Sequence, residues 1–279
     1  MTVVTRFAPS PTGRLHRGHA YAALFAQAAA RRAGGRFLLR IEDIDAGRCR
    51  PGFDDAIRAD LAWLGLTWEE PVRRQSEHMA DYRAALARLD ARGVLYPCFC
   101  TRKDIAAEIA RAGAAPHGPD GPPYPGLCRG MPHDESARRI ARGDAHALRL
   151  DVAKSLALTG GLTWRDRGAG EIAADPGALG DVVLARKEMP ASYHLAVTVD
   201  DALQGVTLVT RGEDLFHATH VHRLIQALLG LPVPDWHHHA LLAGPGGERL
   251  AKRSGAPSLA ALRDADADPA ALRRELGFD

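Results

Sequence analysis

The sequence predicts an α/β fold in which a parallel sheet is interrupted by an inserted module, and three observations predict it. A β-α-β pattern opens the chain, strand-like apolar runs return after residue 181, and a stretch dense in glycine and proline lies between them. The 279 residues suffice for one or two domains at roughly 150 residues each. With 46% hydrophobic and 25% charged residues, the composition is that of an ordinary globular protein, which sets aside disorder and fibrous repeats.

Val3-Val4-Thr5-Arg6-Phe7 reads as a short buried strand, ended by the punctuation of Ala8-Pro9-Ser10-Pro11-Thr12-Gly13. A helix is expected from near His16 to Arg32, stopped by Gly34-Gly35, and Phe37 to Ile41 forms the next apolar strand. Such a unit implies parallel strands joined by a right-handed crossover, with ligands beyond the carboxyl ends, where Ser10 and Glu42 would lie. Helical spacing recurs over 54–66 and 77–93 (Ile57, Leu61, Leu64; Tyr82, Leu86, Leu89). The character changes at Tyr96, and 113–132 is too rich in Gly and Pro to be regular, so an insertion over roughly 96–180 is expected. Val182 to Leu184, Leu195 to Val199 and Val206 to Thr210 each read as a strand, followed by a helix over 216–229 and a helical tail beyond Leu259.

The longest apolar stretch, Ala20 to Ala30, is broken by Gln27, so no membrane span is expected. Met1 to Arg6 lacks the basic-then-apolar pattern of a signal sequence, and a cytoplasmic location follows as the expectation. A net charge of +2 does not announce a nucleic-acid binder by composition, though it leaves room for a local basic face. In a cytosolic chain Cys49, Cys98, Cys100 and Cys128 are expected as thiols or metal ligands rather than disulfides.

Two phosphate signatures are set aside. Gly168-Ala169-Gly170-Glu171-Ile172-Ala173 fits G-x-G-x-x-A, but charged Arg165-Asp166-Arg167 precedes it where a buried strand is required. The chain holds no Gly-Lys pair and hence no Walker A loop. A different solution is visible in His16-Arg17-Gly18-His19, at the mouth of the first crossover helix, where unpaired N–H groups and the helix dipole favour anions. Two imidazoles there would donate to phosphate oxygens, and Gly18 would leave room for a nucleotide. Glu248-Arg249-Leu250-Ala251-Lys252-Arg253-Ser254 follows a Gly-Pro-Gly-Gly turn, and its lysine would reach the phosphates of ATP and the departing pyrophosphate. Alone, it reads equally as a solvated loop.

Together these features resemble the class I aminoacyl-tRNA synthetases, in particular the glutamyl branch. Arg6-Phe7-Ala8-Pro9-Ser10-Pro11-Thr12-Gly13 with Leu15-His16 is similar to that branch's opening, and Leu39-Arg40-Ile41-Glu42-Asp43-Ile44-Asp45 to its second block. Tyr193 to Asp201 and Thr210 to Leu215 continue the likeness in order, and the lysine loop stands where the family's KMSKS-like sequence belongs. It departs from that pattern with Arg249 for the first lysine and Ala251 for a serine, while Lys252 is retained. Only 25 residues follow Ser254, where a glutamyl-tRNA synthetase carries a helical anticodon-binding region. In this the chain resembles the glutamyl-queuosine tRNA(Asp) synthetase family, which attaches glutamate to queuosine in the anticodon loop of tRNA(Asp).

The resemblance implies a Rossmann-like catalytic domain in two halves, 1–95 and 181–243, an inserted acceptor and zinc module at 96–180, and the KMSKS-like loop with a helical tail at 244–279. It implies ATP binding and catalysis by His16, Gly18, His19 and Lys252, with Mg2+ accompanying ATP. It places L-glutamate against Arg6, Phe7, Ala8, Pro9, Ser10, Glu42, Tyr193 and Arg211, with Glu42 on the ammonium and the arginines on carboxylates. Cys98, Cys100, Tyr124 and Cys128 resemble that family's zinc site; from spacing alone, His117 or His133 serves equally as the fourth ligand. Expected partners are ATP, L-glutamate and queuosine-bearing tRNA(Asp), with no membrane, for a monomer. The competing readings are a minimal glutamyl-tRNA synthetase charging a tRNA 3′ end and a non-catalytic, RNA-binding relative.

Overall fold

The computed structural model describes residues 2–111, 121–186, 189–242 and 257–279. In chain order the elements are β1 (Val4–Phe7), α1 (Arg17–Arg32), β2 (Arg36–Ile41), α2 (Phe53–Trp63), β3 (Glu69–Arg74), α3 (Met79–Ala91) and β4 (Leu95–Cys98). There follow α4 (Arg102–Arg111), α5 (His133–Ala141), β5 (Ala147–Leu150), α6 (Val152–Thr159), β6 (Thr163–Asp166), β7 (Gly170–Ala173) and β8 (Val183–Arg186). The chain ends with α7 (Tyr193–Leu203), β9 (Leu208–Gly212), α8 (Ala218–Leu229), β10 (Asp235–His239), α9 (Leu259–Asp264) and α10 (Pro269–Glu275). Among the described residues no helix is long and apolar enough to cross a membrane.

The opening β-α-β unit forms as the sequence predicts. β1 pairs with β2 in parallel, Val4 opposite Arg36 and Phe7 opposite Leu39, and β3 joins on the far side of β2. The alanines Ala20, Ala23, Ala26 and Ala30 line the buried side of α1, and these small side chains let the helix lie close to the sheet. At the return into β2 a side chain on Gly35 would collide with the Val3 carbonyl oxygen, so the tight turn requires glycine there.

A second parallel group, β9-β10-β6, carries β7 antiparallel on its edge. The two groups meet along β1 and β9. At one end the Thr207 amide donates to the Val4 carbonyl (3.0 Å), and at the other the Arg6 guanidinium donates to the Thr210 carbonyl (3.2 Å). Strand order reverses at this seam, with β2 on one side and β10 on the other, which makes it the switch point where open α/β sheets place their ligands. β4, β5 and β8 form a separate antiparallel sheet. One apolar cluster lies between α1, α2 and the C-terminal helices (Leu24, Leu39, Leu61, Leu259, Leu272). Another lies among α3, α7 and α8 (Tyr82, Leu89, Leu195, Val221, Ile225).

One sequence reading is corrected. Leu195 to Val199 is not a strand but the interior of α7, whose first turn is capped by the Ser192 hydroxyl. Every residue from Leu195 to Asp201 is buried, so the segment has no polar face to reveal a helical period, and its β-branched residues mimic a strand. The G-x-G-x-x-A stretch is the turn and second strand of the β6–β7 hairpin rather than a strand-to-helix turn.

The contact between α7 and the parallel sheet is ionic as well as apolar. Asp201 accepts from Arg6 Nε (2.9 Å) and Arg40 Nη1 (2.8 Å), and Arg40 is fully buried. Its neighbour Asp200 takes Arg73 (2.7 Å), Gln75 (2.8 Å) and the Tyr82 hydroxyl (2.9 Å). Buried charges persist only when paired and hydrogen-bonded, and here the partners come from β1, β2, β3, the turn after β3 and α3. Removing one member of such a network leaves the others uncompensated. We therefore expect Asp201→Ala to cost about 3–5 kcal/mol of unfolding free energy in urea titrations.

Candidate active site

The switch-point crevice collects most of the residues expected to hold an amino acid. Glu42 follows the last residue of β2, and its amide donates to the Pro9 carbonyl (3.0 Å), tying the turn after β1 to the end of β2. Arg40, two residues earlier, donates to Glu42 Oε1 from Nη2 (3.1 Å). Burial pushes the Glu42 carboxyl above its ordinary range, and Arg40 and Arg6 oppose that rise without cancelling it. Tyr193 opens α7 and its hydroxyl accepts from Arg211 Nη1 (3.2 Å). Burial raises this phenol; Arg211 and Arg6 lower it and Glu42 raises it, so these four side chains share one space.

Arg211, on β9, is 6% exposed, yet among the described residues it forms no ion pair. Its Nε donates to His238 Nε2 (3.1 Å), Nη1 to Tyr193 and to His222 Nδ1 (3.3 Å), and Nη2 to Thr219 Oγ1 (2.5 Å). All four acceptors are neutral groups. A buried cation without a carboxylate is a site for an anion, and burial lowers its own affinity for the proton.

The remaining glutamate-site expectations are placed differently. The Phe7 side chain is part of the apolar core under α1, so it faces away from solvent. Ala8 is half-buried, Pro9 is buried and contributes its carbonyl, and Ser10 is exposed on the turn after β1.

His16 and His19 cap α1 reciprocally. His16 Nδ1 accepts from the Gly18 amide (3.1 Å), and His19 Nδ1 accepts from the His16 amide (3.1 Å), with the rings 3.9 Å apart. An Nδ1 that accepts from an amide carries no proton, so each neutral ring holds its proton on Nε2. A Cβ on Gly18 would sit 3.1 Å from the His16 ring, a crowding that sequence reasoning did not foresee. Ser258 bridges to His16, and Leu259 donates to the Leu15 carbonyl (2.9 Å), so the chain re-enters at the mouth of α1. Lys252, Arg249 and Ala251 lie outside the described residues, as does His117.

The cysteine prediction brings its members together. The sulfurs of Cys98, Cys100 and Cys128 all lie within 4.8 Å of one another. The Tyr124 hydroxyl is 3.3 Å from Cys98 Sγ and 3.5 Å from Cys100 Sγ, and Cys100 and Cys128 are 3.5 Å apart. Around a four-coordinate zinc with sulfur near 2.3 Å and oxygen near 2.0–2.2 Å, ligand atoms lie roughly 3.5–3.8 Å apart, so the donor set fits such an ion. Burial pushes the Cys100 thiol up to about 12. His133 is 95% exposed on α5 and takes no part in the cluster. Arg149 lies over the Tyr124 ring at 3.7 Å, a neighbour the spacing of cysteines did not reveal.

His194 Nδ1 is 3.2 Å from His222 Nε2, and His238 Nδ1 is 2.8 Å from Asp166. Burial and the charge of Arg211 push His194 and His238 down to about 4 from the usual 6.5. As pH falls below about 6.5 the unfolded chain binds these protons first, so stability is full above that value and is lost toward about 4. The urea midpoint should therefore fall between pH 6.5 and 4, and less steeply in His194→Gln, measured by fluorescence across that range.

The family described as tRNA synthetases class I (E and Q), catalytic domain, matches residues 2–278. A protein named Glutamyl-Q tRNA(Asp) synthetase from Rhodobacter capsulatus is 51% identical over 280 residues, covering 99% of this chain and 100% of that protein. One of the same name from Symbiobacterium thermophilum is 46% identical, covering 98% and 85%. Glutamate--tRNA ligase 2 of Acidithiobacillus ferrooxidans is 43% identical, covering 99% of this chain and 58% of that one. A crystal structure of a glutamate tRNA ligase from Elizabethkingia meningosepticum, in complex with its amino acid, superposes with a TM-score of 0.78 at 28% identity. It covers 92% of this chain, which spans about half, 54%, of that ligase. By both sequence and fold, the chain belongs to the class I tRNA synthetases of the E and Q type, a family of ligases.

Proposed function

We propose that the protein activates L-glutamate with ATP and transfers it to queuosine in the anticodon loop of tRNA(Asp). The observation that carries the amino-acid assignment is Arg211, a buried cation whose hydrogen-bond partners among the described residues are all neutral, near the buried carboxylate Glu42. A ligand with one ammonium and two carboxylates complements both. Glu42 takes the ammonium, and Arg6 and Arg211 take carboxylates, with the Tyr193 hydroxyl beside them and the turn from Phe7 to Ser10 as backbone wall. The acceptor assignment is supported by the likeness to Glutamyl-Q tRNA(Asp) synthetases along their whole or nearly whole length.

Two transfers follow. A glutamate α-carboxylate oxygen attacks the α-phosphorus of MgATP; the bond to the bridging oxygen breaks and pyrophosphate leaves, giving glutamyl-adenylate. The Nε2–H groups of His16 and His19, at the positive end of α1, and Lys252 of the loop stabilise phosphate charge, and Gly18 keeps the helix mouth open. A hydroxyl of queuosine then attacks the acyl carbon, its proton is lost and AMP departs. Asp201 holds Arg6 and Arg40 in place throughout.

Cys98, Cys100, Cys128 and Tyr124 would hold one Zn2+, which, closed by four protein ligands, supplies structural cross-linking rather than chemistry. The module at 96–180 is then a zinc-stapled insertion between the catalytic halves 1–95 and 181–243, with 244–279 as loop and tail. The protein works as a cytoplasmic monomer.

Labelled glutamate offered to tRNA(Asp) with and without queuosine, and to tRNA(Glu), tests the acceptor; label mapped to the queuosine nucleotide is expected, and label at a 3′ end would establish the minimal glutamyl-tRNA synthetase instead. Because the Glu42 carboxyl is raised by burial, it protonates at higher pH than an ordinary carboxyl. The KM for glutamate should therefore rise as the pH is lowered toward the carboxylate range while the KM for ATP holds, read from pyrophosphate exchange. Wild type should carry about one zinc per chain by elemental analysis, and Cys98→Ser markedly less.

A further inference from the structure

We infer that Asp166, His238 and His222 are positioning residues, a hydrogen-bond relay that sets the orientation of Arg211 while leaving its charge for a substrate carboxylate. The inference deepens the glutamate reading and rests on it. A guanidinium only donates hydrogen bonds, so every atom that Arg211 meets must accept. His238 Nε2 therefore carries no proton, and its neutral ring holds the proton on Nδ1, 2.8 Å from Asp166 Oδ2. His222 Nδ1 likewise accepts, so its proton is on Nε2, pointing to His194 Nδ1 at 3.2 Å.

Asp166 is itself fixed. Its Oδ1 accepts from the amides of Gly168 (2.8 Å) and Ala169 (3.0 Å) in the β6–β7 turn, and its Oδ2 from the His238 amide (3.1 Å). The G-x-G stretch, in its hairpin turn, thus holds this carboxylate. The arrangement solves a specific problem. A carboxylate in direct contact with Arg211 would orient it and also neutralise it, competing with the substrate. Placed one imidazole away, the carboxylate fixes the tautomer of His238, the imidazole fixes the guanidinium, and the nearest acceptors stay neutral. Arg6 lacks this device: it is paired directly with Asp201 at 2.9 Å, so a substrate carboxylate shares Arg6 with Asp201, whereas at Arg211 it meets only neutral neighbours among the described residues.

Two measurements on the full-length protein test this. Long-range 1H–15N correlation with 15N-histidine, assigned with His238→Gln and His222→Gln, should show His238 protonated on Nδ1 and His222 on Nε2 at pH 7.5 without substrate. A His238 protonated on Nε2, or on both nitrogens, would overturn the relay whatever the substrate. In glutamate-dependent pyrophosphate exchange, Asp166→Asn, whose single oxygen can serve only one of the two sets of N–H donors around Asp166 and whose neutral amide no longer fixes the Nδ1 proton, should raise the KM for glutamate about tenfold or more, with kcat and the KM for ATP within about twofold. His238→Gln keeps an acceptor and should recover most of the loss seen in His238→Phe; equal loss in both, or an equal effect on glutamate and ATP, contradicts the inference. A wild-type protein with no glutamate-dependent exchange would refute the glutamate reading and with it the carboxylate role, while the spectrum still decides whether the relay exists.

Discussion

The structure depends on one pair of adjacent carboxylates, Asp200 and Asp201, at the C-terminal half of α7. They draw in Arg6 from β1, Arg40 from β2, Arg73 from β3 and Tyr82 from α3. Hydrophobic burial would hold α7 against the sheet in many rotations; the ion network permits one. That choice orients Arg6 and Arg40, and through Arg40 it fixes Glu42. The interaction is therefore worth less as net stability than as specification, since buried ion pairs roughly repay their own desolvation.

From that fixed helix the crevice follows. β1 and β9 are tied by a backbone hydrogen bond at one end and by the Arg6 side chain at the other, so the seam between the parallel groups ends in charged side chains instead of a continued ladder. The helix that follows β1 brings its imidazole-capped N-terminus to the same side. A crevice lined by opposite charges and the N-terminus of α1 thus come to adjacent strands, the arrangement that the proposed adenylation of a carboxylate would use. The nitrogen that caps each histidine at α1 is not the one that would meet a phosphate, so structural and chemical roles fall on different atoms of one ring.

Much of this was legible in the sequence, and for physical reasons. The β-α-β opening declares itself because Pro, Gly and apolar runs mark local geometry, and the cysteines stand out by their spacing, which the fold gathers into one cluster. The illegible parts depend on contacts distant in sequence. Leu195 to Val199 was misread because a segment buried on all sides shows no period. Arg40 inside an apolar strand hinted at a buried partner, but nothing local names Asp201, 161 residues away. His222, His238, Thr219 and Asp166 gave no signal as a set, since three elements far apart in sequence, α8, β10 and β6, supply them to Arg211. His237, His238 and His239 alternate across β10, which puts His238 beside Arg211 and His237 and His239 against Phe25 on α1.

In the proposed function Arg211 stays cationic and, among the described residues, without a carboxylate, so that the substrate's own carboxylate completes the site. Pyrophosphate exchange run side by side with glutamate and glutamine tests it most directly, because glutamine matches glutamate in shape and leaves the buried cation unpaired. The account predicts kcat/KM for glutamate higher by roughly 100-fold or more, the scale expected when a buried charge loses its partner. Equal exchange with the two amino acids would contradict it.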